Sequence, residues 1–378
     1  SANCDFTVEN AGNHPVPYEV EALYDTKWFV DEKSGNDSGW GTESSPKATL
    51  KGALQYALPG DSVFVAPGVY SNGVQYAGGE LATGDAEYDF DLAARAVVTN
   101  DVKLIGAGAE RTFIVGESAP NAQEEDFGCG EGAVRCIVLH PGSSLSGFTL
   151  TGGRTKASNS DNKGDALCGG GILASRCRWA SPSTLYSKLP RIDDCVISNC
   201  VAIRGAGAYN GVYNRCRFLG NRVLSGGNGA AARGTSRNYL YCRNTIFDFN
   251  EGYSTTYYAT LENCTIGEFN SQNGAYDSLS VINDSPLVAN TLILGNKGCA
   301  AASGAVFSNC VFNERTLEYL RKNTKVTISS DCLIAAADEY LVVDENYTPV
   351  IGANIAVDTG KAALISEGLG AFDLYGNP

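Results

Sequence analysis

Between residues 190 and 335, apolar and polar positions alternate in short runs that end in one recurring phrase. The phrase is apolar–x–Asn/Asp–Cys–x–apolar, with an Asn a few residues later. It reads Ile192-Asp193-Asp194-Cys195-Val196-Ile197, Tyr213-Asn214-Arg215-Cys216-Arg217-Phe218, Leu261-Glu262-Asn263-Cys264-Thr265-Ile266 and Phe307-Ser308-Asn309-Cys310-Val311-Phe312. Weaker copies centre on Phe148, Asn244, Asn290 and Cys332, and from Cys195 onward the centres lie 21, 28, 20, 26, 20 and 22 residues apart. Alternation with period two predicts strands, and a repeat just above twenty predicts a solenoid of β-rich coils. One coil cannot bury its own apolar side; stacking coils about 4.8 Å apart does. Leu261, Cys264 and Ile266 cannot share one face of a flat strand, so a bend is expected near Asn263. Stacking then predicts an inward column of Cys195, Cys216, Cys264, Cys310 and Cys332. It predicts a second column of Asn199, Asn221, Asn250, Asn270 and Asn296, whose amides bond to one another and to turn backbone. The glycine clusters Gly169-Gly170-Gly171, Gly205-Ala206-Gly207 and Gly226-Gly227 suit sharp corners. The expected fold is all-β: a single right-handed parallel β-helix of about nine to eleven coils.

The chain divides accordingly. Residues 1–25 are polar and irregular, an N-terminal tail. Residues 26–60 hold a strand at Trp28-Phe29-Val30 and a helix over 45–58, with Ser45 as cap and Pro46 in the first turn, suited to cover the open end of the solenoid. Residues 61–345 form the β-helix, with longer loops at 152–168 and 178–191 and a short helix from Glu314 to Lys322. Residues 346–378 are an irregular C-terminal cover. No run of eighteen apolar residues occurs, so no transmembrane segment is expected. The chain is read as a monomer.

Of 378 residues, thirteen are cysteine and none is methionine. The missing methionine implies that an N-terminal segment was removed, and Cys4 is weighed as a lipid-attachment site although Asn3 is an unusual neighbour. The periodic cysteines read as small buried hydrophobes with free thiols. Cys129/Cys136 and Cys168/Cys177 flank loops and are the better candidates for bridges. No Cys-x-x-Cys pair occurs, which argues against structural zinc.

Several segments resemble secreted bacterial proteins of the pectin-lyase fold. They are Trp28-Phe29-Val30-Asp31 with Ser34-Gly35-Asn36-Asp37, and Pro59-Gly60-Asp61-Ser62-Val63 running to Ala66-Pro67-Gly68-Val69-Tyr70. Ala133-Val134-Arg135-Cys136, Leu145-Ser146-Gly147-Phe148-Thr149-Leu150-Thr151 and Gly205-Ala206-Gly207-Ala208-Tyr209 continue the match. Val357-Asp358-Thr359-Gly360 and Asp373-Leu374-Tyr375-Gly376-Asn377-Pro378 close it. Phe218-x-x-Asn221 and Phe247-x-x-Asn250 also resemble repeats of autotransporter passengers and surface adhesins. The resemblance covers about residues 26–378 and implies a right-handed β-helix and export, to the cell surface or beyond. It hands over no active site. The Gly-His-Gly element of polygalacturonases is absent, as are the Trp-Ile-Asp-His and Arg-x-Pro-x-x-Arg segments of the main pectate lyases. The chain has two histidines, His14 and His140, and no Gly-x-Ser-x-Gly, which argues against a serine hydrolase. Asp193-Asp194 reads as part of the repeat phrase, and Gly106-Ala107-Gly108 as a coil corner without a nucleotide fingerprint.

Charge is segregated. The chain carries −14 overall, yet residues 172–244 hold eleven Lys/Arg against two Asp/Glu, a net of +9. Ten of these eleven cations are arginine, whose planar forks suit carboxylate or sulfate. Candidate polysaccharide-binding residues are Arg176, Arg178, Trp179, Lys188, Arg191, Arg204, Arg233, Arg237 and Tyr239, the aromatic rings stacking on sugars. Asp193 and Asp194 are expected nearest Arg191, leaving the other cations without acidic partners. Nucleic acid is a poor partner for so acidic an exported chain. The loop Asn159-x-Asp161-Asn162-x-Gly164-Asp165 is rich in oxygen ligands. It is weighed as a calcium site at Asp161 and Asp165 against a plain hydrated turn; no other cofactor is implied. The reading is therefore an extracellular or cell-surface β-helix that binds an acidic polysaccharide, a cell-surface glycan for instance, without a recognisable catalytic signature. A polysaccharide lyase or glycoside hydrolase on an acidic glycan is the alternative, and a structural adhesin or passenger the second alternative.

Overall fold

The computed structural model describes residues 26–77, 92–156, 164–175, 188–235, 239–267, 280–283, 287–293, 305–322 and 326–335. The tail 1–25 and the cover 346–378 lie outside these. The described residues form a parallel β-helix. A first sheet has eleven strands, from Lys27–Val30 to Thr327–Ile328. A second has ten, from Gly68–Tyr70 to Leu333–Ala335, and a third has eight, from Gln75–Ala77 to Ser280–Asn283. Every strand pair is parallel except Gln75–Ala77 with Leu92–Val98, which closes one edge of the third sheet antiparallel. Strands Val201–Arg204 and Arg222–Asn228 add a small fourth sheet between the second and third.

Register fixes which side chains meet. On the first sheet the inward row runs Val63, Leu104, Leu145, Ile192, Tyr213, Cys242, Leu261, Val288, Phe307, Ile328. On the second it runs Tyr70, Ile114, Leu150, Ile197, Phe218, Phe247, Ile266, Ile293. Both rows belong to one continuous core. Parallel strands need such rows because identical register stacks like on like, as in the Phe218–Phe247 rings at 5.3 Å.

The bend expected near Asn263 is a left-handed residue at the first-to-second-sheet corner. Asp194, Arg215, Asn244, Asn263, Asn290 and Asn309 all take positive φ, between 46° and 53°. Asn and Asp tolerate this region better than most residues, which is why the phrase repeats them. The turn swings the next residue inward, so Cys195, Cys216, Cys264 and Cys310 are buried in the core. Thr245 and Thr291 fill the same slot in the intervening coils, each hydroxyl donating to a carbonyl of its own turn. Cys332 packs at the end of this core, half-buried.

Four expectations are corrected. The asparagine column holds at Asn221 and Asn250, but Asn199 occupies a left-handed corner (φ 51°) and Cys200 takes the column position. Asn270 and Asn296 lie outside the described residues. The helix spans Leu50–Leu54, not 45–58, because Thr49 provides the cap: its Oγ1 accepts from Gly52 N at 2.9 Å. Ser45 and Pro46 instead belong to a loop held against strand Lys27–Val30 through Lys47 N to Phe29 O and Asp31 N to Lys47 O. Gly226-Gly227 lie within strand Arg222–Asn228 rather than at a corner. Finally, Cys129 and Cys136 are free thiols: Cys129 packs with Val201 and Leu224 in a small outer cluster while Cys136 faces the main core. Cys168 is likewise free, and Cys177 lies outside the described residues. The helix Glu314–Lys322 forms as expected.

Candidate functional site

The third sheet sends alternate residues away from the core. Ala96, Ile137, Ile172, Ala208 and Ala232 point in, so their neighbours point out. The outward row, read by register, is Val97, Val138, Leu173, Tyr209, Arg233, Tyr257. Its chemistry changes midway. Val97, Val138 and Leu173 are buried with Ala166 and Cys168 beneath the turn Gly164–Leu167. Arg135 is buried at the same place, its guanidinium donating to the carbonyls of Gly169, Asp165 and Cys168; burial lowers it to about 10. Beyond Tyr209 the row continues with Arg233 and Tyr257, both half-buried.

Arg233 lies there with its guanidinium carbon 4.6 Å from the centre of the Tyr257 ring. Arg204, exposed at the end of Val201–Arg204, sits at the adjoining corner, where its backbone bridges to Cys168. Glycine makes this corner possible. Gly205 and Gly229 have φ of 57° and 70°, and a Cβ on either would come within 3.1 Å or 2.7 Å of the Arg233 Cβ. Both arginines act on one thiol: burial, then Asp165, pushes Cys168 up to about 12, while Arg204 and Arg233 oppose the rise. The Tyr209 phenol is pushed up chiefly by burial and then by Cys168, with Arg233 opposing. Among the described residues no carboxylate forms an ion pair with Arg204 or Arg233, and the Arg233 Nε is buried without a hydrogen-bond partner. Asn210, buried next to this row, accepts from the Thr235 backbone and hydroxyl at 2.7 Å each and so fixes the chain after Arg233.

The other sequence candidates do not gather here. Tyr239 is half-buried at the start of the first-sheet strand Leu240–Arg243, its carbonyl accepting from Gly211 N. Lys188 pairs with Asp101 at 3.3 Å on the corner between the third and first sheets. Arg191 stands in register between Ser144 and Val212, on the first sheet. Arg176, Arg178, Trp179, Arg237 and Asp161 lie outside the described residues. Asp165 is buried and lends its carbonyl to Arg135. Among the described residues no three His, Cys, Asp or Glu side chains are grouped to hold a metal.

The expectation that most of the basic block lacks acidic partners is corrected. Stacked coils bring distant residues within reach, and sequence neighbours do not decide pairing. Arg215, not Arg191, takes the Asp194 carboxylate through two bonds of 2.7 Å. Arg222 pairs with Glu251 and lies over the Phe127 ring, and Arg243 pairs with Glu262 at 2.6 Å. The basic block thus winds around the helix instead of forming one face.

A cleft that pattern reading missed lies over the first sheet. It has a volume of about 360 Å³ and is lined by Phe29, Phe64, Ile105, Asp31 and Glu43, under the loop 31–47. The Asp31 carboxyl is lowered, first by the Ser34 hydroxyl and then by the Lys33 backbone. The signal for it was aromatic residues at outward strand positions, Phe29 and Phe64, whose rings stack at 5.6 Å.

No protein-family model matches the sequence, and no curated protein matches it. Among solved structures the chain is similar to a GH136 lacto-N-biosidase from Eubacterium ramulus at 11% identity and TM-score 0.39, over 82% of this chain and 66% of that one. It thus spans about two thirds of that enzyme's length. It is also similar to the pectin methylesterase PemA from Erwinia chrysanthemi, at 11% identity and TM-score 0.35 over 87% and 94% of the two chains. A rhamnogalacturonan lyase matches at 14% identity and TM-score 0.28 over 77% and 74%. Likeness at these values says nothing about chemistry.

Proposed function

We propose that this protein binds an acidic polysaccharide, at the cell surface or outside the cell, along the outer face of the third sheet. The observation that carries the reading is Arg204 and Arg233 at one glycine corner, Arg233 lying on Tyr257, with neither arginine in an ion pair among the described residues. Guanidinium forks at this corner suit the repeating carboxylates of a uronate chain. Binding without turnover is favoured because no acid–base pair converges on these arginines among the described residues. Burial holds Tyr209 and Cys168 protonated, and His140 lies on another corner. A lyase remains the alternative.

The test is retention on polygalacturonate and heparin columns under a salt gradient. Wild-type protein is expected to be retained and to elute earlier as salt rises, since exposed charges are screened within about 8–10 Å. Arg204→Ala and Arg233→Ala should each shift elution towards the void, with EDTA having no effect. Unchanged retention of both variants overturns the site. Loss of retention in EDTA would instead point to calcium at Asp161 and Asp165. Absorbance of an unsaturated product on the same glycans would replace binding by lyase activity.

A further inference from the structure

The thiol column ends in an unusual pair. Of the ten cysteines in the described residues, nine are buried and Cys332 alone is half-exposed. It faces Cys310: Val311 and Leu333 are register partners, so the residues before them are neighbours on adjacent coils. The Cys310 backbone N–H donates to Cys332 Sγ at 3.5 Å, and Ser329 Oγ lies 3.9 Å from the same sulfur. Asp331 is engaged elsewhere, accepting from the Asn309 backbone at 3.0 Å and from Ser329. Register neighbours on stacked coils stand about 4.8 Å apart, inside the 4.4–6.8 Å Cα window of a disulfide.

We propose that Cys332 is a thiol modification site, a nucleophile open to peroxides, with Cys310 as the resolving thiol that closes a disulfide between the last two coils. The Cys332 thiolate attacks one oxygen of a hydroperoxide. The O–O bond breaks, a sulfenic acid forms, and hydroxide leaves to take up a proton. The Cys310 sulfur then attacks the sulfenyl sulfur, the S–O bond breaks and water leaves. Two thiols are oxidised and one hydrogen peroxide is reduced to two waters. The surroundings support the division of roles. The hydrogen bond from Cys310 lowers the Cys332 thiol most, helped by the Cys310 backbone and Ser329, against burial and Asp331. Burial raises Cys310. A thiolate that is both accessible and stabilised reacts first; a buried thiol does not. The other column thiols, Cys195 and Cys264, are pushed up to about 12 by burial and have no such opening.

The experiment is a brief iodoacetamide pulse on the native chain, followed by peptide mapping, with and without prior hydrogen peroxide. Without peroxide, Cys332 should be alkylated at least about tenfold faster than any other described cysteine, and still be labelled below the ordinary thiol range. After one equivalent of peroxide, a non-reducing map should show the peptides of Cys310 and Cys332 linked. In Cys310→Ser, dimedone should trap a sulfenic acid on Cys332 and no link should form. Labelling spread evenly over the cysteines overturns the proposal, as does a sulfinic acid on Cys332 beside a free Cys310. The wild-type map decides the matter even if the variant does not fold.

Discussion

Asn221 shows how much one side chain can hold in a stacked corner. Its Oδ1 accepts from Cys200 N at 3.1 Å, and its Nδ2 donates to Ile197 O at 2.9 Å and to Asn250 Oδ1 at 3.0 Å, all fully buried. Asn221→Ala leaves a buried N–H and a buried carbonyl without partners and should cost about 2–4 kcal/mol, read from urea unfolding. Asn199→Gly, at the neighbouring left-handed corner, should cost under about 1 kcal/mol, because glycine accepts positive φ freely. Equal losses would mean that both asparagines do the same work. The sequence showed a periodic Asn but could not tell these roles apart, since the column position and the corner are adjacent residues. His140 supplies a pH test. Burial lowers its imidazole from 6.5. The unfolded chain therefore takes up this proton first as pH falls, so the stability contribution present above about pH 6.5 is lost below it. His140→Gln should flatten that part of the profile of urea midpoint against pH between 7.5 and 5; an unchanged slope would assign it to other groups.

Among the elements, the corners decide the fold as much as the strands. Gly207 precedes the third-sheet strand Ala208–Tyr209. A Cβ there would sit 2.4 Å from the Ala231 carbonyl oxygen and 2.9 Å from the Phe218 ring. The first of these is backbone of the next coil and cannot swing aside. Gly207→Ala should therefore separate two coils and abolish cooperative unfolding, followed by circular dichroism on heating. A sharp transition within a few degrees of wild type would show that the coil spacing can adjust. Period and phrase made the strands readable in the sequence, because parallel stacking repeats a bulky apolar or aromatic residue at the same slot: Ile192 over Leu145, Tyr213 over Ile192. The helix boundary was less readable. Ser45-Pro46 carries a helix-start signal, but the edge of strand Lys27–Val30 competes for that backbone, and the helix waits for Thr49.

At the scale of the whole molecule, charge along the sequence is a poor guide to charge in space. A solenoid places residues about twenty apart in contact, so the +9 block is cut up by partners from other coils, Asp101, Glu251 and Glu262 among them. What remains of the sequence candidates at the site is a corner, Arg204 and Arg233. The corner was legible only as residue types, because the aromatic partner that matters, Tyr257, is twenty-four residues from Arg233 and reaches it through register. This separation yields a specificity test. Arg215 is held by Asp194 on a different corner of the same helix and adds nothing to the third-sheet face. Arg215→Ala removes the same single charge as Arg233→Ala. If glycan retention followed net charge, both variants would elute earlier by the same salt increment. If it follows the glycine corner, Arg233→Ala should lose retention while Arg215→Ala elutes with wild type, and the slope of retention against salt should fall only in the first. Equal shifts in the two variants would reduce the interaction to a diffuse effect of charge and remove the case for a site.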